Sequence, residues 1–122
     1  MSSVISDLPA LAQSIKDWGK ELGFAHVGIA GVDLAEHEQH LERWLEAGYH
    51  GEMDYMGAHG SKRAHPDHLV PGTLRVVSLR MDYLPGDTRM AQQLANPEKA
   101  YISGYALGRD YHKLIRKRVQ HL

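Results

Sequence analysis

The first regular pattern of hydrophobic residues lies near the start of the chain and predicts an amphipathic helix over residues 8–22. Apolar side chains recur there every three or four positions, so they share one helical face. They are Leu8, Leu11, Ile15, Trp18 and Leu22. Ser6 or Asp7 is suited to cap this helix, and Gly23 is suited to end it in a left-handed turn. The apolar run that follows, residues 24–30, predicts a buried strand.

A second helix and a second strand follow in the middle of the chain. Asp33 and Glu36 have the spacing of a capping box, which predicts a helix to about Ala47 with Gly48 as its end. The turn-forming pair Pro71-Gly72 precedes residues 73–84, whose dense leucine and valine content predicts the main strand. A short helix over residues 88–95 is expected to stop before Pro97, because proline disfavours helix at the residue before it.

The end of the chain combines aromatic and charged residues. Residues 101–103 predict a brief strand, and a final amphipathic helix is expected from Gly108 or Arg109 onwards. That helix would place side chains of four chemical types on its first turn, where backbone N–H groups favour an anion. These side chains are Arg109, Asp110, Tyr111 and His112. The elements together predict an α/β fold with a small mixed sheet flanked by helices, and the unbroken helical pattern at Leu122 predicts an incomplete domain.

Composition narrows the class of protein. A chain of 122 residues makes one domain at most, so residues 1–122 are treated as part of a single domain. No run of about 18 apolar residues predicts a membrane span, and the N-terminus lacks the features of a signal peptide. The absence of cysteine excludes disulfides and cysteine-ligated iron–sulfur clusters within this chain. These features predict a cytoplasmic protein without membrane contact.

Charge is distributed unevenly along the chain. Residues 1–54 contain ten acidic and three basic side chains, a net charge of −7, whereas residues 55–122 contain five acidic and eleven basic ones, a net charge of +6. This asymmetry favours contact between the second half and an anion, although two solvated faces of different charge are the alternative.

Most catalytic and metal motifs are absent. Four histidines lie close together in sequence without an HExxH context, and we expect them to be scattered and solvent-facing, with no metal site. They are His50, His59, His65 and His68. No GxSxG, Walker A or GxGxxG motif is present. The basic residues of the last helix, with tyrosines that can stack on a flat ring, favour nucleic-acid or cofactor binding over these chemistries. An ordinary basic helix with aromatic core residues is the alternative.

Three sequence blocks resemble one enzyme family. They are HGEMDYM, KRAHPDHLVPGTLRVVS and YALGRDYHKLIRKR, and they resemble, in this order, the N-terminal part of epoxyqueuosine reductases. The resemblance covers nearly the whole chain and about the first third of such an enzyme. It implies a cobalamin-dependent oxidoreductase that reduces epoxyqueuosine to queuosine in tRNA, the last step of queuosine biosynthesis. It also implies a nitroreductase-like cobalamin-binding module, with electrons reaching cobalt from two 4Fe-4S clusters in a ferredoxin-like domain outside this chain. A helical-repeat domain outside this chain is expected to help hold the tRNA.

The resemblance also implies roles for individual residues. Arg63 and Ser103 match positions at which the family contacts cobalamin. The signature that runs into the last helix contains Tyr105, Arg109, Asp110, Tyr111 and His112. The family's proton donor and cluster ligands are expected beyond Leu122, so no catalytic residue is assigned here and the chain alone is expected to be inactive. Many family members have arginine at the position of Gly104, which places contact with a phosphate or corrin amide in question there.

Other functions remain open at this point. A non-catalytic RNA-binding module and a flavin- or corrin-binding module are the alternatives to the reductase. We also expect the last helix to support self-association of the chain, because its apolar stripe needs a partner surface.

Overall fold

The computed structural model describes residues 7–84 and 86–122. Five α-helices and two β-strands lie in these ranges. The helices are α1 (Leu8–Glu21), α2 (Ala35–Glu46), α3 (Pro66–Leu69), α4 (Met90–Leu94) and α5 (Tyr111–His121). The strands are β1 (His26–Ala30) and β2 (Val76–Arg80). Three 3₁₀ turns are found at Asp54–Met56, Gly60–Arg63 and Gly104–Ala106.

The two strands pair in an antiparallel sheet. The expected combination of helices and strands is therefore confirmed. The expected mixed sheet is not, because the described residues contain antiparallel pairing alone. The chain forms two compact units, and each is described by itself. The terminal unit contains the described residues up to Gly28 together with Leu79–Leu122, and the central unit is Ile29–Ser78.

Helix α1 of the terminal unit has the boundaries that its sequence predicts. The Asp7 carboxylate accepts a hydrogen bond from the backbone N–H of Ala10 at 3.0 Å, which confirms Asp7 as the N-cap, while Ser6 lies outside the described residues. Gly23 has a φ of 90°, a left-handed conformation that glycine adopts without strain, and the helix ends just before it. Phe24 and Val27 follow and are each only 4 % exposed.

Both strands are shorter than the apolar runs that predicted them. The ladder is preceded by a hydrogen bond from the N–H of Ala25 to the carbonyl of Arg80 at 2.8 Å, and Phe24 is buried without being part of the strand. Residues 73–75 and 81–84 lie outside β2. An apolar run shows where a strand can form, but only a partner backbone determines how far it extends.

Residues 101–103 do not form the predicted strand, and the last helix begins later than predicted. The segment from Tyr101 to Ser103 has no regular structure, because the antiparallel pair of β1 and β2 provides it with no ladder partner. Helix α5 starts at Tyr111, so Arg109 and Asp110 precede its first turn, and Asp110 is its N-cap. The asparagine–proline stop of α4 is confirmed, since this helix ends at Leu94.

The central unit carries more short helix than the sequence suggests. Asp33 accepts a hydrogen bond from the N–H of Ala35 at 3.2 Å, which supports the start of α2 without the predicted bond to Glu36. Gly48 has a φ of 71° and follows the end of α2, as predicted. Ala64, between the second 3₁₀ turn and α3, is 6 % exposed. No helix in the described ranges is long and apolar enough to cross a membrane.

Candidate functional site

The main candidate site is a groove in the terminal unit, lined by four tyrosines together with apolar and polar residues. One part has a volume of about 330 Å³ and is lined by Met81, Tyr83, Tyr105, Tyr111 and Ile115. A larger part of about 670 Å³ adjoins it, because Met81 and Tyr83 line both. The larger part is lined by Arg80, Met81, Asp82, Tyr83, Leu84, Met90, Tyr101, Ser103 and Gly104. We call both parts together the aromatic groove.

Two chain segments and one helix position these side chains. Residues 81–84 follow β2 and have no ladder partner, so both of their faces are free to line a cavity. The 3₁₀ turn Gly104–Ala106 brings Gly104 against this segment, since a Cβ built on Gly104 would lie 3.5 Å from Cδ1 of Leu84. Helix α5 contributes Tyr111, whose ring meets that of Tyr105 edge to face with centroids 6.2 Å apart. This arrangement is favourable for two aromatic rings.

The start of α5 is fixed by Asp110 and His112. The Asp110 carboxylate accepts hydrogen bonds from the backbone N–H of His112 and from its ring nitrogen Nδ1, each at 3.0 Å. The backbone bond, followed by the ring bond and the electrostatic influence of His112 and Arg116, lowers the pKa of Asp110 below its ordinary value. The His112 ring also stacks on Tyr111, with centroids 4.0 Å apart. The cap therefore holds an aromatic wall of the groove in place.

The groove presents aromatic faces and polar tips. Tyr83, Tyr101 and Tyr105 are each substantially exposed, which makes their rings accessible to a ligand. Phenol and serine hydroxyls donate and accept hydrogen bonds at its edge. Nε of Arg80 lies 3.6 Å from Oδ1 of Asp82, and Nη1 of Arg118 donates to Sδ of Met81 at 3.4 Å. Both guanidinium groups therefore already have a partner within the protein. The arrangement suits a flat, partly apolar ligand with polar groups around its edge.

The residues expected at the site fall into three places. Ser103, Tyr105 and Tyr111 line the groove, and Asp110 with His112 forms the adjoining helix cap. Arg109 is exposed just before the cap. Arg63 lies in the central unit, where its Nη2 donates to the carbonyl of Tyr55 at 2.5 Å.

Sequence reasoning missed part of the groove lining. Met81, Tyr83 and Leu84 were assigned to a strand and given no functional role. The available signal was an aromatic residue, Tyr83, among apolar ones at the end of a strand that leads into a turn.

The described residues form a small α/β module that carries the aromatic groove. Comparison with known proteins shows the family to which this module is similar. The family model described as epoxyqueuosine reductase QueG, DUF1730, matches residues 63–122, which include every groove residue. The chain belongs to the epoxyqueuosine reductase family.

Individual relatives support this assignment. The chain is 79% identical to the epoxyqueuosine reductase of Pseudomonas aeruginosa, over 95% of this chain and 32% of that protein. It is 62% identical to the enzyme of Aliivibrio fischeri, over 92% of this chain and 30% of that protein. For Escherichia coli the identity is 58%, over 95% of this chain and 31% of that protein. The chain therefore spans about a third of the length of these relatives. No solved structure matches it significantly.

Proposed function

We propose that this chain is the N-terminal portion of an epoxyqueuosine reductase, which reduces epoxyqueuosine to queuosine in tRNA. The observation that carries the proposal is the position of the aromatic groove. Its lining comes entirely from residues that match the family model, and it contains the expected residues Ser103, Tyr105 and Tyr111. The names of the relatives support an oxidoreductase acting on a tRNA nucleoside.

The groove fits the proposed role in holding cobalamin. A corrin ring is a broad, flat ligand with amide groups around its edge, and the groove offers aromatic faces beside hydroxyls. Tyr105 and Tyr111 would pack against the ring, while Ser103 would hydrogen-bond an amide at its edge. Bound cobalamin would supply the electron transfer to the substrate. The module would be nitroreductase-like in fold, and the Asp110–His112 cap would keep Tyr111 in place.

The proposed iron–sulfur clusters do not fit this chain. It contains no cysteine, and the two 4Fe-4S clusters of the proposed enzyme would need cysteine ligands supplied by another part of the protein. We also propose a cytoplasmic location, where tRNA is available. The exposed cations Lys113, Arg116 and Lys117 on α5 would contact phosphate groups of the tRNA.

Cobalamin binding tests the role of the groove directly. Equilibrium dialysis of the full chain with hydroxocobalamin should show binding that Tyr111→Ala and Ser103→Ala weaken, the tyrosine more strongly. A stacked aromatic group contributes about 1–3 kcal/mol, so the loss for Tyr111→Ala should be about fivefold or more. Tyr49→Ala, which removes an exposed tyrosine of the central unit, is the matched control. Equal binding by all four proteins would contradict the proposed site.

Turnover tests the role of the rest of the enzyme. The chain alone, with cobalamin and a reductant, should not reduce epoxyqueuosine, because it supplies no cluster ligands. The whole protein should do so, and Tyr111→Ala within it should lower the rate. Turnover by the chain alone would contradict the proposal that another part of the protein supplies the cluster ligands needed for the reaction.

We further propose that α5 supports self-association of the chain. Val119 and Tyr111 on its apolar stripe are 45 % and 38 % exposed. Sedimentation across a concentration series should show dimers that Val119→Lys abolishes, because a charge placed in an apolar contact is costly to desolvate. Lys117→Ala, on the polar side of α5, is the control. A chain that stays monomeric at all concentrations would contradict this proposal.

A further inference from the structure

A cluster of side chains whose types can ligate a metal lies in the central unit, away from the aromatic groove in sequence. One ligand atom each from His65, Asp67 and His68 lies within 4.8 Å of the other two. The three residues occupy the start of α3, where His65 is the N-cap. Their sequence spacing matched no metal motif, but His65 and His68 are three positions apart at the start of a helix, a spacing that places two side chains on the same side.

The two imidazole rings are stacked face to face. Their centroids are 4.5 Å apart and their planes differ by 14°. The carboxylate of Asp67 lies 3.9 Å from Nε2 of His68. Two ligands of a tetrahedral zinc ion, at about 2.0–2.2 Å from the metal, are about 3.3–3.6 Å apart, so the ligand atoms of the cluster would have to move closer together to hold one ion. The exposed His68 ring would have to turn out of its stack on His65 for its nitrogen to reach that ion.

Glu38 of α2 completes the arrangement. Its Oε2 lies 3.0 Å from Nε2 of His65, at hydrogen-bond distance across 27 residues of sequence. A carboxylate that accepts from one imidazole nitrogen leaves the lone pair on the other, and this pairing orients histidine ligands in metal sites. The carboxylates of Glu38 and Asp67 would together balance the charge of a divalent cation.

Accessibility is also suitable. The side chains of His65 and Glu38 are 32% and 22% exposed, and those of His68 and Asp67 are 52% and 41% exposed, so an ion can reach the cluster from solvent. The nearest strong cation in sequence, Arg63, is engaged with the carbonyl of Tyr55.

We propose that His65, Asp67 and His68 bind a divalent transition-metal ion of the zinc class, with Glu38 as a positioning residue for His65. Two imidazoles and one carboxylate are a ligand set that suits zinc and leaves a coordination position for water. The ion would fasten the start of α3 to α2 within the central unit. This assignment replaces the expectation that the histidines here are scattered and that the chain has no metal site.

Zinc titration of the full chain, in competition with a chromophoric chelator, tests the proposal. One Zn²⁺ per chain should bind, and His68→Gln should weaken the affinity by at least about tenfold. Glu38→Gln should weaken it by about 10–100-fold, the range for a group that orients a metal ligand. His37→Gln, an exposed histidine beside Glu38 on the same helix, is the matched control and should leave the affinity unchanged.

Cobalt substitution provides the second measurement. Co²⁺ bound at the cluster should show visible absorption that Asp67→Asn and His68→Gln remove and His37→Gln retains. His68 is exposed, so its replacement is compatible with folding, which circular dichroism checks. Zinc affinity and cobalt absorption that are the same in His68→Gln as in His37→Gln would overturn the proposal.

Discussion

Gly19 of α1 packs so closely on Val27 of β1 that a methyl group built on Gly19 would overlap Cγ2 of Val27. The same methyl group would lie 3.7 Å from Cδ2 of Leu79 in β2. Gly19 is the buried residue of α1, and Val27 is one of the few side chains that the described residues bury almost completely. A glycine, which is otherwise unfavourable inside a helix, therefore brings the helix against the sheet.

We predict that Gly19→Ala destabilises the protein. Alanine is the better helix former, by about 1 kcal/mol, but overpacking of a well-filled contact costs about 1–3 kcal/mol. Because Val27 is buried and held in a strand, the packing cost should prevail, and urea denaturation should show a lower midpoint. Gly28→Ala is the control, since a Cβ there meets no atom within 4 Å. A midpoint that rises with Gly19→Ala would show that the helix and sheet separate easily.

The Asp110 cap should make the start of α5 sensitive to acid. Its pKa is lowered chiefly by the hydrogen bond from the N–H of His112, and also by the bond from the His112 ring. A carboxyl whose pKa is lower in the folded state than its ordinary value of 3.8 stabilises the folded state at pH values above that ordinary pKa. This stabilisation is lost as the pH falls through the pKa of the folded state. Helix content should therefore decrease on acidification below that ordinary value, and Asp110→Asn should reduce this dependence.

The His112 side chain offers a sharper test of the same cap. His112→Ala removes the ring bond and the electrostatic influence of the ring but keeps the backbone N–H, so the pKa of Asp110 should rise part of the way to its ordinary value. Carboxyl chemical shifts of Asp110 across a pH titration measure this change. An unchanged titration would show that the ring contributes nothing to the cap.

Arg63 should have a structural as well as a binding role. Its guanidinium donates to the carbonyl of Tyr55, eight residues earlier, within the central unit. Hydrogen bonds from charged groups contribute about 1.5–3 kcal/mol, and exposure of this side chain should reduce the loss in Arg63→Ala to the lower end or below. Thermal unfolding measures this loss, and cobalamin retention by the whole protein measures the binding role. Arg63→Lys, which keeps the charge, separates the structural role of Arg63 from its binding role.

Local patterns predicted α1 and the end of α2 well. The caps of α1 and the glycine that ends it depend on residues a few positions apart, so the sequence around them is sufficient. The strand ends and the segment from Tyr101 to Ser103 depend on a distant backbone partner, which local patterns do not contain. The same reason explains why β2 proved shorter than its apolar run.

The same difference between local and distant contacts determines which residues of the candidate sites could be predicted. Tyr105 and Tyr111 were identified because they lie in one short block that resembles the signature of the family. Tyr83 lies about 20 residues earlier and reaches the groove only through the fold. His65 and Glu38 are 27 residues apart, and no pattern in the sequence joins them.

Gly104 provides a prediction about the groove itself. Gly104 does not have a positive φ, so it needs no glycine for its backbone conformation. A Cβ there would lie 3.5 Å from Cδ1 of Leu84 and 3.8 Å from Cδ2 of Tyr83, both ordinary van der Waals distances. The structure therefore has room for a Cβ at this position.

We predict that Gly104→Arg folds with unchanged or slightly raised stability, because a non-glycine residue loses less backbone entropy on folding. Gly104 lines the larger part of the groove together with Ser103, so a guanidinium at this position would meet the polar edge of a ligand. One charge-assisted hydrogen bond of about 1.4 kcal/mol would strengthen cobalamin binding about tenfold. Gly104→Ala separates the two effects, since it fills the same backbone position without a donor and should leave the affinity near that of the parent chain. Equilibrium dialysis with hydroxocobalamin measures both variants. Equal affinity of the arginine and alanine variants would mean that the ligand's polar edge does not reach Gly104, and Ser103 would then have to act alone.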